Sequence, residues 1–194
     1  MEILHLKEYI DKETCKEFAD FIESSIPNML FDVSKQRHIL RFGYDQEYPE
    51  YTIQTTDLIK PIEEKLFLIF DQLSSRIKVE LNDKNDLFLT SFFLSKHLPG
   101  GSVNEHADAG EGMNECLKYS CVIYLNDIGT DGAIHFPIIN KTILPMAGDV
   151  VVFPSMGEES THSVAEITGP RYAIPTWFTE DKKYSFPYDY SLDN

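Results

Sequence analysis

Short runs of β-branched and aromatic residues divide the second half of the chain, and this pattern constrains the fold more than any other feature. Turn signals rich in Pro, Gly, Asn and Asp separate the runs. Several short strands at such intervals predict a mainly β domain with supporting helices, built as a sandwich or jelly-roll barrel. The predicted strands are Leu87–Leu94, Lys118–Leu125, Ala133–Ile139, Lys141–Leu144, Asp149–Phe153, His162–Ile167 and Arg171–Phe178.

The first part of the chain has a different, mainly helical pattern. Apolar residues fall at helical spacing from Asp11 to Ser24 and again from Asp57 to Leu73, with Thr55, Thr56 or Asp57 available as the cap of the second helix. Between these helices, residues 37–44 read as a strand. We expect the two helices to pack on the outer face of one sheet.

A chain of 194 residues fits one domain. No repeat, low-complexity block or linker divides it, so we predict a single domain over 1–194. Residues 1–86 give helical support, 87–180 form the jelly-roll core and 181–194 form an acidic, aromatic tail. Two alternatives stay open for the tail, because its aromatic side chains can pack on the barrel or the segment can fray.

The charge of the chain bears on its partners and location. The formal net charge of −15 disfavours binding to phosphate backbones and favours a cationic or neutral substrate, although the same charge can serve solubility alone. The N-terminus lacks a signal-peptide pattern, and no run is long enough for a membrane span. The three cysteines are odd in number and lack zinc-type spacing. We therefore expect a cytoplasmic protein with no nucleic-acid or membrane partner.

His106-Ala107-Asp108 is the first candidate for chemistry. Alternate residues of a strand face the same way, so the imidazole and the carboxylate can converge on one ion. Such a tripeptide also arises by chance as a surface His and Asp. The glycine-containing loop that follows, residues 109–117, offers little to pack and is a candidate mobile lid.

His162 strengthens the interpretation of His106 and Asp108 as metal ligands. It opens a predicted strand, and two neutral imidazoles with one carboxylate on one face of an octahedral ion leave three positions open. That ligand set is typical of non-haem iron(II) oxygenases. A lone His162 would instead be read as a core or rim histidine, and His5, His38 and His135 are interpreted as structural or surface residues.

Arg171 is the third element, nine residues after His162 across the turn at Thr168-Gly169-Pro170. A hairpin here would separate the two side chains by roughly 15–20 Å along paired strands. Arg presents a planar, two-pronged donor to a carboxylate such as the far end of 2-oxoglutarate. The alternative is an ordinary surface ion pair.

Together these motifs give the chain from about Phe92 to Glu180 a family resemblance. It resembles the 2-oxoglutarate/Fe(II)-dependent dioxygenase superfamily, and most of all its prolyl 4-hydroxylase-like branch. The matching pieces are Pro99-Gly100-Gly101 before His106 and Asp108, Val122–Asp127, Asp131-Gly132 leading to His135-Phe136-Pro137, Pro145–Asp149, Val152–Pro154, His162–Val164 and Arg171–Phe178.

The resemblance implies a double-stranded β-helix fold and particular roles. His106, Asp108 and His162 would be the metal and catalytic residues. Arg171 and Tyr124 would bind the co-substrate, and Trp177 would lie near the substrate at the mouth of the site or serve as core filler. The sequence departs from the family at His97, where many members have Tyr, and at Asp131-Gly132-Ala133, where many have Gly-Gly-Glu.

The implied activity is hydroxylation dependent on iron(II), 2-oxoglutarate and dioxygen, yielding succinate and carbon dioxide, with ascorbate as an optional further cofactor. The leading substrate hypothesis is a proline residue in a peptide or protein. The runner-up is hydroxylation of a free amino acid or other small molecule. A rival of another class is a catalytically silent jelly-roll protein that keeps a metal ion for structure.

Overall fold

The computed structural model describes residues 2–129 and 131–193; Met1, Thr130 and Asn194 lie outside this description. Two antiparallel sheets face each other, so the predicted jelly-roll fold is confirmed. The strands are β1 Leu4–Leu6, β2 Leu30–Asp32, β3 Arg37–Gly43, β4 Thr52–Ile53, β5 Phe88–His97, β6 Val103–His106, β7 Tyr119–Tyr124, β8 Ile134–Phe136, β9 Lys141–Ile143, β10 Val150–Pro154, β11 His162–Val164 and β12 Arg171–Thr179.

The larger sheet has the order β1-β10-β7-β12-β5-β3-β2, and the short β4 adds to β3 in parallel. The smaller sheet has the order β6-β11-β8-β9. Consecutive strands along the chain therefore alternate between sheets in several places, as in β10, β11 and β12. This crossing brings residues far apart in sequence to face each other across the barrel.

Strand periodicity divides the core into two layers. In β7, Cys121 and Ile123 lie in the cluster that contains the helices, whereas Val122 and Tyr124 lie in the cluster between the sheets. The inner cluster also contains Phe136 from the smaller sheet. The resemblance implied that Tyr124 points inward, and the alternation of β7 gives the physical reason.

The two helices, α1 Lys12–Ser25 and α2 Glu63–Glu80, cover the outer face of the larger sheet. The Asp11 side chain caps α1 by accepting a hydrogen bond from the Thr14 amide at 2.8 Å. Buried apolar side chains at helical spacing face the sheet, each worth about 1.5–3 kcal/mol when fully buried. They are Cys15, Phe18 and Ile22 of α1 and Leu66, Ile69, Phe70, Leu73 and Ile77 of α2.

The predicted start of the second helix is wrong. Asp57–Ile59 form a short 3₁₀ helix, and α2 begins only at Glu63, after Ile62, which provides no side-chain cap. Pro61 explains the break, because a continuous helix from Asp57 would need a hydrogen bond from the missing Pro61 N–H. The helix also continues beyond Leu73, because Ile77 extends its buried stripe.

The N-terminal part also contributes β1, β2 and β4, which the sequence pattern did not predict, and β6 likewise escaped prediction. In the tail, Tyr184, Tyr188 and Tyr190 pack their rings around Tyr44, so the packing alternative holds for these residues. None of the helices within the described residues is long and apolar enough to cross a membrane.

Candidate active site

A cavity of about 660 Å³ lies between the two sheets. The inward-facing side chains of β3, β5 and β12 form one wall, and β6 and β11 form the opposite wall. His106, Asp108, His162, Arg171 and Trp177 all line it. The structure therefore brings these candidate residues to one place.

His106, Asp108 and His162 converge so closely that one ligand atom from each lies within 4.8 Å of the others. His106 and His162 are cross-strand partners in β6 and β11, with ring centroids 4.4 Å apart. The predicted cause for Asp108 is wrong: β6 ends at His106, and Asp108 lies in the bend that follows. A bend, and not strand alternation, turns its carboxylate back toward the imidazoles.

Backbone carbonyls fix the orientation of both imidazoles. The Nδ1 of His106 lies 2.9 Å from the carbonyl oxygen of Asn104, and the Nδ1 of His162 lies 3.0 Å from that of Ser160. A carbonyl oxygen only accepts, so each Nδ1 carries the proton and each Nε2 keeps its lone pair. That tautomer is the one a metal ion requires from an Nε2 ligand.

Electrostatics favour an ionised Asp108 and a neutral His162, whereas at His106 the effect of burial is outweighed by Asp108, which raises the pKa of that histidine. Burial lowers the pKa of His162 and keeps its ring neutral. Burial works to raise the pKa of Asp108, but the neighbouring side chains of His106 and His162 outweigh it and hold that pKa well below its usual range. Two imidazoles and one ionised carboxylate form a donor set that could hold iron(II).

Trp177 supports the carboxylate directly. Its indole Nε1 donates a hydrogen bond to Oδ2 of Asp108 at 3.0 Å, and its ring packs edge-on against Phe93 with centroids 4.6 Å apart. Trp177 is only partly buried and lines the cavity. The indole therefore does more than fill space, since it restrains the rotation of Asp108.

Arg171 reaches the cavity from the opposite sheet. The expected hairpin with His162 is wrong: β11 pairs with β6 and β8, whereas β12 pairs with β5 and β7. The turn between them crosses from one sheet to the other. Arg171 consequently faces His162 across the cavity and is not displaced along a shared ladder.

Three buried polar atoms around Arg171 lack a hydrogen-bond partner among the described residues. They are Nε of Arg171, the hydroxyl of Tyr124 and Nε2 of His97. The guanidinium lies 5.0 Å from the centre of the Tyr124 ring, and its NH1 lies 3.4 Å from Nδ1 of His97. Burial and the two arginines Arg171 and Arg37 lower the pKa of His97 to about 2, so its ring is neutral.

The hydrogen-bonding needs of these buried atoms indicate which ligand fits the site, and a dicarboxylate can be compared with them. Leaving one buried polar group unpaired costs about 1–3 kcal/mol. A carboxylate beside Arg171 would accept from its guanidinium and from the Tyr124 hydroxyl, and no carboxylate of the described residues is ion-paired with Arg171. The residues present therefore fit 2-oxoglutarate, with its far carboxylate at Arg171 and its keto-acid end at the triad.

The sequence interpretation missed the contribution of β3. Arg37 and Arg41 are four residues apart on that strand, so both lie on its cavity face with Ile39 between them, and Lys35 precedes them in the turn after β2. Arg37 pairs with Asp32, and Arg41 pairs with Asp45, each at 3.2 Å. Two cations four residues apart, and therefore on one face of the predicted strand, were the available signal.

The loop 109–117 is attached to the opposite rim of the cavity. The Asn114 amide donates to the side-chain oxygen of Gln46 at 2.9 Å, and the Gln46 side-chain nitrogen donates to the carbonyl of Gly112 at 3.4 Å. Ala109 and Leu117 are buried at its two ends. This segment bridges the mouth of the cavity, and its proposed mobility stays a prediction.

The histidines interpreted as structural lie apart from the triad. His5 pairs with Asp149 at 2.7 Å, and Nδ1 of His135 lies 2.8 Å from the hydroxyl of Thr142. His38 packs its ring against Phe31. None of the three lines the cavity.

A jelly roll with a His-Asp-His cluster facing a buried arginine defines the class of 2-oxoglutarate-dependent non-haem iron oxygenases. Residues 92–179 match the model of the 2OG-Fe(II) oxygenase superfamily, so the resemblance is confirmed for this part of the chain. The superfamily implies iron(II) and 2-oxoglutarate as cofactor and co-substrate.

Individual relatives are distant in sequence. The chain is 22% identical over 182 aligned residues to the "Putative prolyl 4-hydroxylase" of Acanthamoeba polyphaga mimivirus, covering 80% of this chain and 73% of the viral protein. Among solved structures, a Pseudomonas putida prolyl-4-hydroxylase matches with a TM-score of 0.67 and 18% identity over 92% of both chains. A Trichoplax adhaerens prolyl hydroxylase, in complex with a hypoxia inducible factor peptide fragment, matches with a TM-score of 0.66 and 18% identity over 93% of this chain and 84% of that one. At such identities the structural matches support the fold.

Proposed function

We propose that this protein is a 2-oxoglutarate- and iron(II)-dependent dioxygenase that hydroxylates a proline residue of a peptide or protein. One observation carries the proposal: the His106, Asp108 and His162 cluster shares a cavity with Arg171, a buried cation whose guanidinium lies 5.0 Å from the centre of the Tyr124 ring. A protein that kept a metal ion only for structure would have no need of a buried arginine facing it. The prolyl 4-hydroxylases among the similar proteins support the choice of substrate.

Each residue has a task in this reaction. His106, Asp108 and His162 hold the metal ion, and Trp177 restrains the Asp108 carboxylate. Arg171 and Tyr124 hold the far carboxylate of the co-substrate and so set its distance from the triad. The bound iron(II) and 2-oxoglutarate supply the oxidative chemistry, which consumes dioxygen, releases succinate and carbon dioxide and places a hydroxyl on the prime substrate.

Burial inside the barrel strengthens the electrostatic interactions of these residues. Tyr124 and Phe136 are fully buried in the cluster between the sheets, and Arg171, which lines the cavity, is 3% exposed. Burial lowers the local dielectric, so the pairing of Arg171 with a carboxylate is stronger than it would be in water. The walls of the barrel also limit the access of water to the reacting centre.

Release of labelled carbon dioxide tests the enzymatic class. The purified protein, supplied with iron(II), dioxygen and 2-oxoglutarate labelled at C1, should release carbon dioxide slowly even without a prime substrate. The matched control is His106→Ala, which removes one ligand. Equal release from both proteins would contradict the proposal and favour the silent metal-binding protein. Proline-containing peptides are then screened by mass spectrometry for the gain of one oxygen atom.

Hydroxylation of a free amino acid is the second candidate, and one observation favours it. The hydrogen bonds between Gln46 and the loop 109–117 bridge the mouth of the cavity, which suits a small substrate better than a long peptide. Ascorbate dependence, a cytoplasmic location and the absence of nucleic-acid partners stay predictions.

A further inference from the structure

The inner face of the larger sheet carries a row of cationic and polar side chains. Arg37, His97 and Arg171 are direct cross-strand partners in β3, β5 and β12. Because partners in a ladder lie about 5 Å apart, the three side chains stand side by side on the cavity wall. Arg37 and Arg171 are 7% and 3% exposed, and His97 between them is neutral.

Most charged groups around the cavity already have a partner. Arg37 is paired with Asp32 and Arg41 with Asp45. Glu47, at the rim, raises the pKa of the Tyr48 hydroxyl. Asp108 belongs to the triad, and Arg171 is assigned to the co-substrate.

Lys35 is the exception. Its side chain lines the cavity and is partly buried, yet its ammonium makes no hydrogen bond or ion pair with any of the described residues. Burial and the neighbouring charge of Arg37 lower the pKa of Lys35, and they outweigh the opposing charges of Asp32 and Glu47. A partly desolvated cation beside another cation is unfavourable unless an anion joins it.

The backbone fixes Lys35 close to the candidate metal site. Its turn packs on the segment that precedes β6: the Leu98 amide donates to the carbonyl of Gln36 at 2.8 Å. A Cβ on Gly101 would lie only 2.9 Å from the Lys35 carbonyl oxygen, so the two turns touch. Lys35 lines the same cavity as His97 of the cationic row and His106 of the triad.

We propose that Lys35, supported by Arg37, binds a carboxylate of the prime substrate and thereby selects acidic substrates. This inference rests on the proposed function. The two carboxylates of 2-oxoglutarate are accounted for, one by Arg171 and Tyr124 and the other by the metal ion, so an anion at Lys35 belongs to the third component. The net charge of −15 favours cationic or neutral ligands elsewhere on the surface, and this corner of the cavity reverses that preference locally.

Two sources can supply the carboxylate. In a peptide it is an Asp or Glu side chain close to the target proline. In a small substrate it is the α-carboxylate of the free amino acid. The chemistry at Lys35 is the same in both, and the choice between them decides between the two candidate functions.

Binding can be measured without turnover, since Trp177 is the single tryptophan of the chain and lines the cavity. The anaerobic protein, loaded with iron(II) and 2-oxoglutarate, is titrated with capped pentapeptides centred on proline while tryptophan fluorescence is followed. Each flanking position carries Asp in one peptide and Asn in its counterpart. Free L-proline and L-prolinamide form a further pair.

We expect at least one carboxylate-bearing ligand of these pairs to bind about tenfold tighter than its neutral counterpart. A hydrogen bond to a charged group contributes an effect of this size. Lys35→Gln should reduce that preference to near parity, and Lys35→Arg should retain most of it. Lys12→Gln, at the exposed start of α1, is the matched control and should keep the full preference. A preference confined to the peptides identifies a side-chain carboxylate, and one confined to proline identifies the α-carboxylate.

Three outcomes overturn the inference: no acid-dependent binding anywhere in the set, an undiminished preference in Lys35→Gln, or loss of 2-oxoglutarate affinity in Lys35→Gln. The last would assign Lys35 to the co-substrate. The charge-transfer band of the iron–2-oxoglutarate complex separates this failure from that of the proposed function. If the band forms and acid preference is absent, only the inference fails; if the wild-type protein gives no band, the proposed function fails.

Discussion

Replacing Arg171 with Ala should abolish most of the affinity for 2-oxoglutarate while leaving the metal site formed. Arg171 lies on β12, across the cavity from the triad, and contacts none of its three members within hydrogen-bonding distance. Its guanidinium is the only cation beside the Tyr124 ring among the described residues. Removal of the guanidinium therefore leaves the far carboxylate of the co-substrate buried without the cation that pairs with it.

The size of the effect follows from burial. Truncating one partner of a buried, hydrogen-bonded charge pair costs about 2–5 kcal/mol, and each ~1.4 kcal/mol is tenfold in affinity. The dissociation constant for 2-oxoglutarate should rise between ~30-fold and several thousandfold. Tyr124 still offers one neutral hydrogen bond, worth about 0.5–1.5 kcal/mol. Arg171→Lys should be milder because the charge remains while the two-pronged geometry is lost.

Folding stability should respond differently from binding. Arg171 has no anionic partner among the described residues and lies in the same row as Arg37. Removing a buried cation from beside another cation relieves repulsion, so the melting temperature of the metal-free protein should fall little or rise. A large loss of stability would show that Arg171 serves the fold and not the co-substrate.

Anaerobic titration of 2-oxoglutarate into the iron-loaded variants, followed by the metal-to-ligand charge-transfer band, measures the affinity directly. Iron binding is measured in parallel. Arg76→Ala, on the exposed face of α2 where Arg76 pairs with Glu80, is the matched control and should behave as wild type. An unchanged binding curve for Arg171→Ala would refute the assignment, and equal losses of iron and 2-oxoglutarate affinity would mean that the cavity had collapsed.

Four further predictions test the site and the fold. Asp108→Asn should weaken iron binding far more than it lowers the melting temperature, since it removes the only anionic ligand; unchanged iron affinity would exclude Asp108 as a ligand. Trp177→Phe removes the hydrogen bond to Asp108 and should weaken iron binding several-fold, by about 0.5–1.5 kcal/mol, as measured by iron titration. Gly148→Ala should destabilise the fold by more than about 1 kcal/mol, because Gly148 has a φ of +90° and its Cβ would lie 2.1 Å from the Ile10 carbonyl oxygen; thermal unfolding checks this. Burial opposes the charge on Asp149, but backbone hydrogen bonds and His5 outweigh it and lower its pKa, so the stability it confers should be lost as pH falls below its ordinary pKa of about 4; Asp149→Asn should flatten that acid-side loss in denaturant titrations.

Local patterns in the sequence were sufficient to predict most strands of the core. Short, nearly continuous apolar runs bounded by turn residues, as in β7 and β10, indicate buried strands without any knowledge of the partner strand. The motifs around His106, His162 and Arg171 were identifiable for the same reason, since each is contained within a short segment. Strands with polar or very short sequences, such as β6 and β1, carried no comparable signal.

The relation between those segments depended on tertiary structure. Whether the turn before Arg171 makes a hairpin or crosses between sheets is decided by which strands are free to pair, and that depends on the whole barrel. The orientation of Asp108 likewise depends on a bend and on the indole of Trp177, a residue far away in sequence. Neither the crossover between sheets nor the orientation of Asp108 can be predicted from the local sequence pattern.

The sequence by itself therefore determined the class of fold and the identity of the groups that carry the chemistry, because hydrophobic periodicity and ligand type are local properties. Only the tertiary structure decided how the groups face one another, and that β3 brings Arg37 and Arg41 to the cavity, with Lys35 in the adjoining turn. Pairing in a two-sheet barrel joins residues distant in the chain. The free energy of that pairing is set by the packing of both sheets together, so no single segment encodes it.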